Sequence, residues 1–269
     1  MKKLSARRRH PLAALVVLLF ALAATGGLYA ALAPAPKAQA DDSSQSLAIE
    51  QGKKLYSVGC ASCHGMSGQG SSDGPSLVGV GSAAVDFQVG TGRMPAQQPG
   101  PQIQQKKNIY TQSDIDQLAA YIASLGPGPS VPTKDQYSPA DANVSKGGEL
   151  FRTNCTQCHS FAGKGGALTE GKFAPTLKGS SPKHVYEAMQ TGPQNMPSFP
   201  DSTMPSSAKA DIIAYLNAVD TAQSPNPGGF TLGSLGPVSE GLFGWVFGLG
   251  TLIAIATWVA ARTTKAKKS

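Results

Sequence analysis

Cysteine occurs four times in the 269-residue chain, and every copy falls in one of two pentapeptides, Cys60-Ala-Ser-Cys63-His64 and Cys155-Thr-Gln-Cys158-His159. Two thiols two residues apart, followed at once by an imidazole, suit covalent capture of a haem. Each thiolate adds across one vinyl group to give a thioether, and the adjacent histidine becomes the proximal iron ligand. The spacing sets both sulfurs under neighbouring pyrrole edges and lets the next side chain rise to the iron. Two such pentapeptides imply two covalently bound haems c. A thioredoxin-type dithiol would need a strand–helix alternation that this chain lacks. A zinc site would close four Cys/His ligands on one metal, and a histidine directly after the second cysteine is unusual there.

With His64 and His159 as proximal ligands, each iron needs a partner from the opposite haem face, so the chain must first travel around the ring. Met66 follows His64 too closely. Met94 and Met196 lie well downstream and are the expected thioether ligands. Both precede proline, which stiffens the loop and restricts the methionine backbone to extended conformations. Met204, Met189 and His184 compete in the second half, whereas His10 sits in the basic N-terminal tail. His184 has no counterpart in the first half and reads as a surface or packing residue. His/Met ligation raises the reduction potential, and a site closed on both faces leaves no room for oxygen or peroxide. The expected chemistry is one-electron transfer at a haem edge. No carboxylate pair, nucleophile–base set or phosphate loop stands out as catalytic.

The elements that must position these ligands are duplicated. Gly52-Lys-Lys-Leu55-Tyr56 leads to Cys60, and Gly147-Gly-Glu-Leu150-Phe151 leads to Cys155, with the glycine eight positions ahead of the cysteine in both. Pro75-Ser-Leu77 and Pro175-Thr-Leu177 follow. Thr91-Gly92 then precedes Met94-Pro95, and Thr191-Gly192 precedes Met196-Pro197. Each half closes on an apolar helix, Ile115–Ile122 and Asp211–Leu216, whose Ile/Leu/Tyr spacing suits one face. Ser113 with Asp116 reads as a capping box for the first of these. The intervening sequence, rich in Gly, Ser and Pro, suits loops around a cofactor that supplies much of the apolar bulk.

The formal net charge of +7 does not describe a nucleic-acid binder. Nine of the 23 Lys and Arg lie in the terminal tails: Lys2, Lys3, Arg7, Arg8 and Arg9, then Arg262, Lys265, Lys267 and Lys268. The body keeps fourteen against sixteen Asp and Glu, with no basic stripe interleaved with aromatics. The tails flank apolar segments. Leu242–Ala261 is uncharged over twenty residues, enough for the ~30 Å hydrocarbon core, and Trp245 and Trp258 lie near its ends. Gly244 and Gly248 form a Gly-x-x-x-Gly face. Leu12–Ala33, behind Arg7-Arg8-Arg9, is either a retained anchor or a secretory signal cleaved after Ala38-Gln39-Ala40. Either way, the charge asymmetry places both basic tails in the cytoplasm and the haem-bearing body outside it.

Each half resembles a class I cytochrome c domain, over roughly residues 47–126 and 141–222. The resemblance implies an all-α fold: two tandem class I domains with membrane-spanning helices at the N- and C-terminal ends. The expected order is 1–40 basic N-terminus and apolar anchor or signal, 47–126 first domain, 127–140 Pro/Gly linker, 141–222 second domain, 223–240 linker, 241–262 transmembrane helix and 263–269 basic tail. Gly92-Arg-Met94-Pro, Thr191-Gly-Pro-Gln-Asn-Met196-Pro and the C-terminal anchor together resemble the dihaem cytochrome c subunit of the actinobacterial-type cytochrome bc complex, a menaquinol–cytochrome c reductase. That resemblance implies partnership with a cytochrome b and a Rieske iron–sulfur protein, and delivery of electrons to a cytochrome c oxidase within a supercomplex. Alternatives are the dihaem subunit of a cbb-type oxidase, a free-standing tethered carrier, and a dihaem peroxidase, which needs one displaceable iron ligand.

Overall fold

The structure is a computed structural model. It describes residues 11–32, 37–100, 102–138, 140–220 and 237–266. Arg7 to Arg9, His10, Pro139, most of the second linker, Lys267 and Lys268 lie outside the described residues. The chain divides into two units, residues 1–47 and 48–269. The first contains α1 (Pro11–Leu32), a helix apolar on all sides with no buried span.

The second unit holds two modules built in the same order. In the first, the part of α2 (Lys37–Gly59) from residue 48 onward brings the chain to Cys60, and α3 (Ala61–His64) is the turn of the attachment motif. α4 (Gly81–Gly90) follows the first long loop, and α5 (Gln112–Ser124) closes the module. In the second, α7 (Val144–Asn154), α8 (Thr156–His159), α9 (Pro182–Thr191) and α10 (Ser206–Asp220) take the corresponding places, with α6 (Lys134–Tyr137) between the modules. The strands among the described residues, β1 (Gly166–Ala167) and β2 (Phe173–Ala174), form a minimal antiparallel hairpin in the longer loop of the second module.

The glycine eight residues before each motif is where two helices cross. A Cβ on Gly52 would stand 1.9 Å from the Gln117 carbonyl oxygen of α5, and one on Gly147 would stand 1.8 Å from the Asp211 carbonyl oxygen of α10. One turn on, Tyr56 stacks on Tyr121 at 5.1 Å between centroids, and Phe151 on Tyr215 at 5.5 Å. Bare backbone lets the helices touch; the tilted rings then seal the crossing.

The helix start predicted at Ser113 lies two residues further back. Thr111 is the N-cap: its backbone is extended, its Oγ1 accepts from Asp114 N at 3.3 Å, and the Asp114 carboxylate accepts from Thr111 N at 2.9 Å. Ser113 is already inside α5. Both sequences fit the pattern of a hydroxyl followed three residues later by a carboxylate; only the backbone conformation chooses between them.

The repeated Thr-Gly ends α4 and α9. Thr91 Oγ1 donates to Phe87 O at 2.5 Å and Thr191 Oγ1 to Glu187 O at 2.7 Å, and both following glycines take positive φ. The Pro/Gly segment packs as it leaves the first module: Ala83 N donates to Pro129 O, and Val131 N to Ser82 Oγ.

The modules meet through α4 and α9. Two glutamines reinforce the contact, each pairing its side-chain amide with backbone of the other module: Gln102 with Phe173 (2.6 and 3.0 Å) and Gln194 with Ile103 (3.2 Å both ways). At the centre, Asp86 (1 % exposed) and Glu187 (0 %) face each other, with Lys183 Nζ 2.5 Å from Asp86 Oδ2. Burial, together with Asp86, pushes the Glu187 carboxyl up to about 10.

The last described segment is α11 (Pro237–Phe243), a wide π turn at Gly244–Leu249 and α12 (Gly250–Ala266). Residues Ser239–Arg262 are long and apolar enough to cross a membrane, and none of that span is buried. The Arg262 guanidinium lies over the Trp258 ring, 4.3 Å from its centroid.

Candidate functional site

Each attachment pentapeptide folds as one helical turn. Cys63 N and His64 N both donate to Cys60 O, at 3.2 and 3.0 Å; Cys158 N and His159 N donate to Cys155 O, at 3.2 and 2.9 Å. Residues three and four apart on a helix share a face, so both sulfurs and the imidazole project to one side. All four thiols are free and half-buried. Burial, then the neighbouring cysteine, pushes Cys60 and Cys155 up to about 11. As free thiols they stay protonated at neutral pH, unlike the leading thiol of a thioredoxin-type pair, which ionises near ~7.

The loop after each turn then reaches back to orient the histidine. His64 Nδ1 donates to Pro75 O at 2.8 Å, and His159 Nδ1 donates to Pro175 O at 3.0 Å. A carbonyl only accepts, so Nδ1 must carry the proton and Nε2 is left with its lone pair free for a metal. Burial lowers the pKa of His159 against that hydrogen bond, which keeps its ring neutral. The surrounding loops are pinned alike. Gly70 N donates to His64 O and Leu77 N to Gly68 O; Gly165 N donates to His159 O and Leu177 N to Gly163 O. A Cβ on Gly74 would stand 3.0 Å from His64 Nδ1 and 2.8 Å from Cys63 O, so that position requires bare backbone. The sequence repeats Pro-x-Leu at these places, but the role of the proline carbonyl is visible only in the fold.

One position departs from the duplication. The residue after the histidine has positive φ in both modules: Gly65 (φ 79°) in the first, Ser160 (φ 62°, ψ 172°) in the second. A side chain there is strained by about 1 kcal/mol or more. Ser160→Gly is therefore expected to raise the melting temperature of the second module; an unchanged or lower value would show that the Ser160 Oγ contact with Lys164 N outweighs the strain.

Each downstream methionine packs against the same apolar cluster as the first cysteine of its attachment turn. Cys60 and Met94 pack against one apolar cluster, formed around Tyr56, Ile115, Leu118 and Tyr121. Cys155 and Met196 pack against its counterpart, around Phe151, Tyr186, Ile212 and Leu216. Each methionine sits in a tied loop: Met94 N donates to Gln88 O at 2.9 Å, and Met196 N to Pro193 O at 3.1 Å. Two of the competing residues share that second core: Met189 (3 % exposed) and Met204 (6 %) are buried members of the cluster against which Cys155 and the half-buried Met196 pack. Met66 is 70 % exposed, and His184 packs edge-on against Phe87 at the module interface. The residues present in each half therefore fit a haem: two thiols and an imidazole with a free Nε2 on one face of a turn, and a half-buried thioether against the same core.

Known proteins agree. Residues 49–126 match the family described as cytochrome c, and residues 142–216 match cytochrome c oxidase, cbb3-type, subunit III. The chain is 45 % identical to the "Cytochrome bc1 complex cytochrome c subunit" of Mycobacterium leprae (strain TN), over 92 % of this chain and 87 % of that protein. It is 44 % identical to the protein of the same name from Corynebacterium efficiens, over 97 % and 94 %. The chain belongs to the family of cytochrome bc1 complex cytochrome c subunits. It is thus a respiratory electron-transfer cytochrome c with two covalent haems, built as a subunit of a quinol–cytochrome c reductase. A more distant relative, the "Cbb3-type cytochrome c oxidase subunit FixP" of Azorhizobium caulinodans, is 27 % identical over 66 % of this chain and 62 % of its own.

Proposed function

We propose that the chain is the membrane-anchored dihaem subunit that takes single electrons from a Rieske iron–sulfur centre and passes them to a terminal cytochrome c oxidase. The observation that carries this reading is the matched pair of sites: in each module the histidine Nδ1 is held by a proline carbonyl while a tied methionine shares the core of the attachment turn. Cys60 and Cys63 hold one porphyrin and Cys155 and Cys158 the other, through thioethers. His64 with Met94, and His159 with Met196, hold the irons. When bound, each haem c supplies a one-electron ferric–ferrous couple. The chain's own work is to fix the imidazole tautomer, keep water and small oxidants off the iron, and hold two haem sites in one body. α1 and the α11–α12 segment anchor that body, with both termini cytoplasmic and the haem modules outside. Tethering both sites to the membrane makes the onward transfer effectively intramolecular, so no diffusing carrier is required.

The match of the second module to a cbb3-type oxidase subunit favours a second reading, in which the chain feeds an oxidase directly as one of its subunits. Identity of 42–45 % over most of the chain to reductase subunits outweighs it. The test is to extract the chain from its membrane in mild detergent and identify what comes with it. A cytochrome b and a Rieske protein are expected, with menaquinol reducing both haems c only while the Rieske protein is present. Isolation with a haem–copper oxidase and neither of those proteins would overturn the reading.

A further inference from the structure

We propose that Asp86, His184 and Glu187 form a binding site for a divalent cation of the zinc type, set between the two haem modules and clamping them together. One oxygen or ring nitrogen from each of the three lies within 4.8 Å of the others. Asp86 comes from α4 of the first module; His184 and Glu187 come from α9 of the second, spaced three apart so that they share one helix face. The donor set, two carboxylates and one imidazole without sulfur, is one that zinc accepts.

The second observation is Glu187 itself. It is 0 % exposed and neither of its carboxylate oxygens meets a hydrogen-bond donor. Without a cation, burial beside Asp86 keeps Glu187 as the neutral acid; a divalent ion displaces that proton and gives the buried carboxylate oxygens the partner they lack. Lys183 Nζ sits 2.5 Å from Asp86 Oδ2 and acts on Glu187 through its charge, without a hydrogen bond to either Glu187 oxygen. Asp86 Oδ1 accepts from Gln112 Nε2 at 3.1 Å, which holds that carboxylate in place. A divalent ion satisfies Glu187 and also explains why a histidine absent from the first module converges on the same point. Ligand-to-zinc distances of ~2.1 Å require the three groups to draw together by side-chain rotation. Lys183, whose side chain is one quarter exposed, then yields Asp86 Oδ2 and turns to solvent. The bond made is a cross-link between modules, so its consequence is a fixed separation of the two haem sites.

The experiment uses the full chain with both haems attached, chelator-washed in detergent, then titrated with Zn2+ alone. Haem attachment converts all four cysteines to thioethers, so they do not compete as thiolates. One zinc per chain is expected in addition to the two haem irons, with an absorption-edge spectrum of nitrogen and oxygen ligands. His184→Ala and Glu187→Gln are each expected to weaken binding roughly tenfold or more. Zinc should slow proteolysis of the 127–140 linker in the wild type and not in either variant. Unchanged haem spectra certify that a variant is folded; if Glu187→Gln loses its haems, His184→Ala provides the same reading. Zinc uptake that is absent, or equal in wild type and variants, overturns the proposal, and Glu187 is then balanced by a proton.

Discussion

Met94→Ala and Met196→Ala are each expected to abolish the weak red-region sulfur–iron absorption of one haem and to lower that haem's reduction potential by tenths of a volt. Axial ligands command a span of ~0.8 V, and a thioether favours ferrous iron because it is a soft, weakly basic donor. Each 100 mV corresponds to ~2.3 kcal/mol per electron, more than the typical cost of a surface substitution, so the effect is large for the loss of one side chain. It should also be confined to one module. Met94 is tied to Gln88 and Met196 to Pro193, and each packs on its own core, so removing one leaves the other loop in place. Spectra and redox titration of the full chain read both quantities. A band and potential unchanged in Met196→Ala would reject that residue as a ligand; Met204→Ala, a core change, is expected to leave the band intact.

Gly147→Ala should destabilise the second module by about 3 kcal/mol or more, although helix propensity taken alone predicts a gain of about 1 kcal/mol. The opposite signs make the result decisive. Gly147 lies inside α7, where alanine is the better helix former. Its added Cβ would stand 1.8 Å from Asp211 O and 2.3 Å from Asp211 C. Those are backbone atoms in the middle of α10, with no flexible end to swing aside. The two helices must separate, and the Phe151–Tyr215 pair opens with them. At 4–8 °C per kcal/mol for a module of this size, a fall of about 10–20 °C in melting temperature is expected, together with poorer haem incorporation. Gly52→Ala should do the same to the first module, where the contact is the Gln117 carbonyl at 1.9 Å. A melting temperature equal to or above wild type would show that the helices do not cross at these glycines.

The two experiments probe different parts of one design. The methionines test what the loops deliver to the iron, and the glycines test the helix crossing that holds the attachment turn. The repeated glycines and methionines are visible in the sequence as a duplicated pattern, but what each glycine touches is set by the packing of distant helices. The predicted apolar spans were legible too: α1 and Ser239–Arg262 follow from composition alone, because a membrane asks for length and lack of charge and little else. The capping box was misplaced by two residues, since Thr111 and Ser113 offer the same pattern and only the extended backbone at Thr111 distinguishes them.

By itself the sequence determined the cofactor chemistry. Thioether attachment and proximal ligation must fit into one helical turn, so their residues have to be neighbours in the chain. It also determined the duplication and the all-α modules, because both repeat short patterns. Only the tertiary structure decided what joins distant positions: the proline carbonyls on His64 and His159, the backbone contacts that forbid a side chain at Gly52 and Gly147, and the meeting of Asp86 with His184 and Glu187. Those partners come from separate helices and loops. No local spacing encodes them, because the free energy that brings them together is spread over the packing of the whole module and its interface.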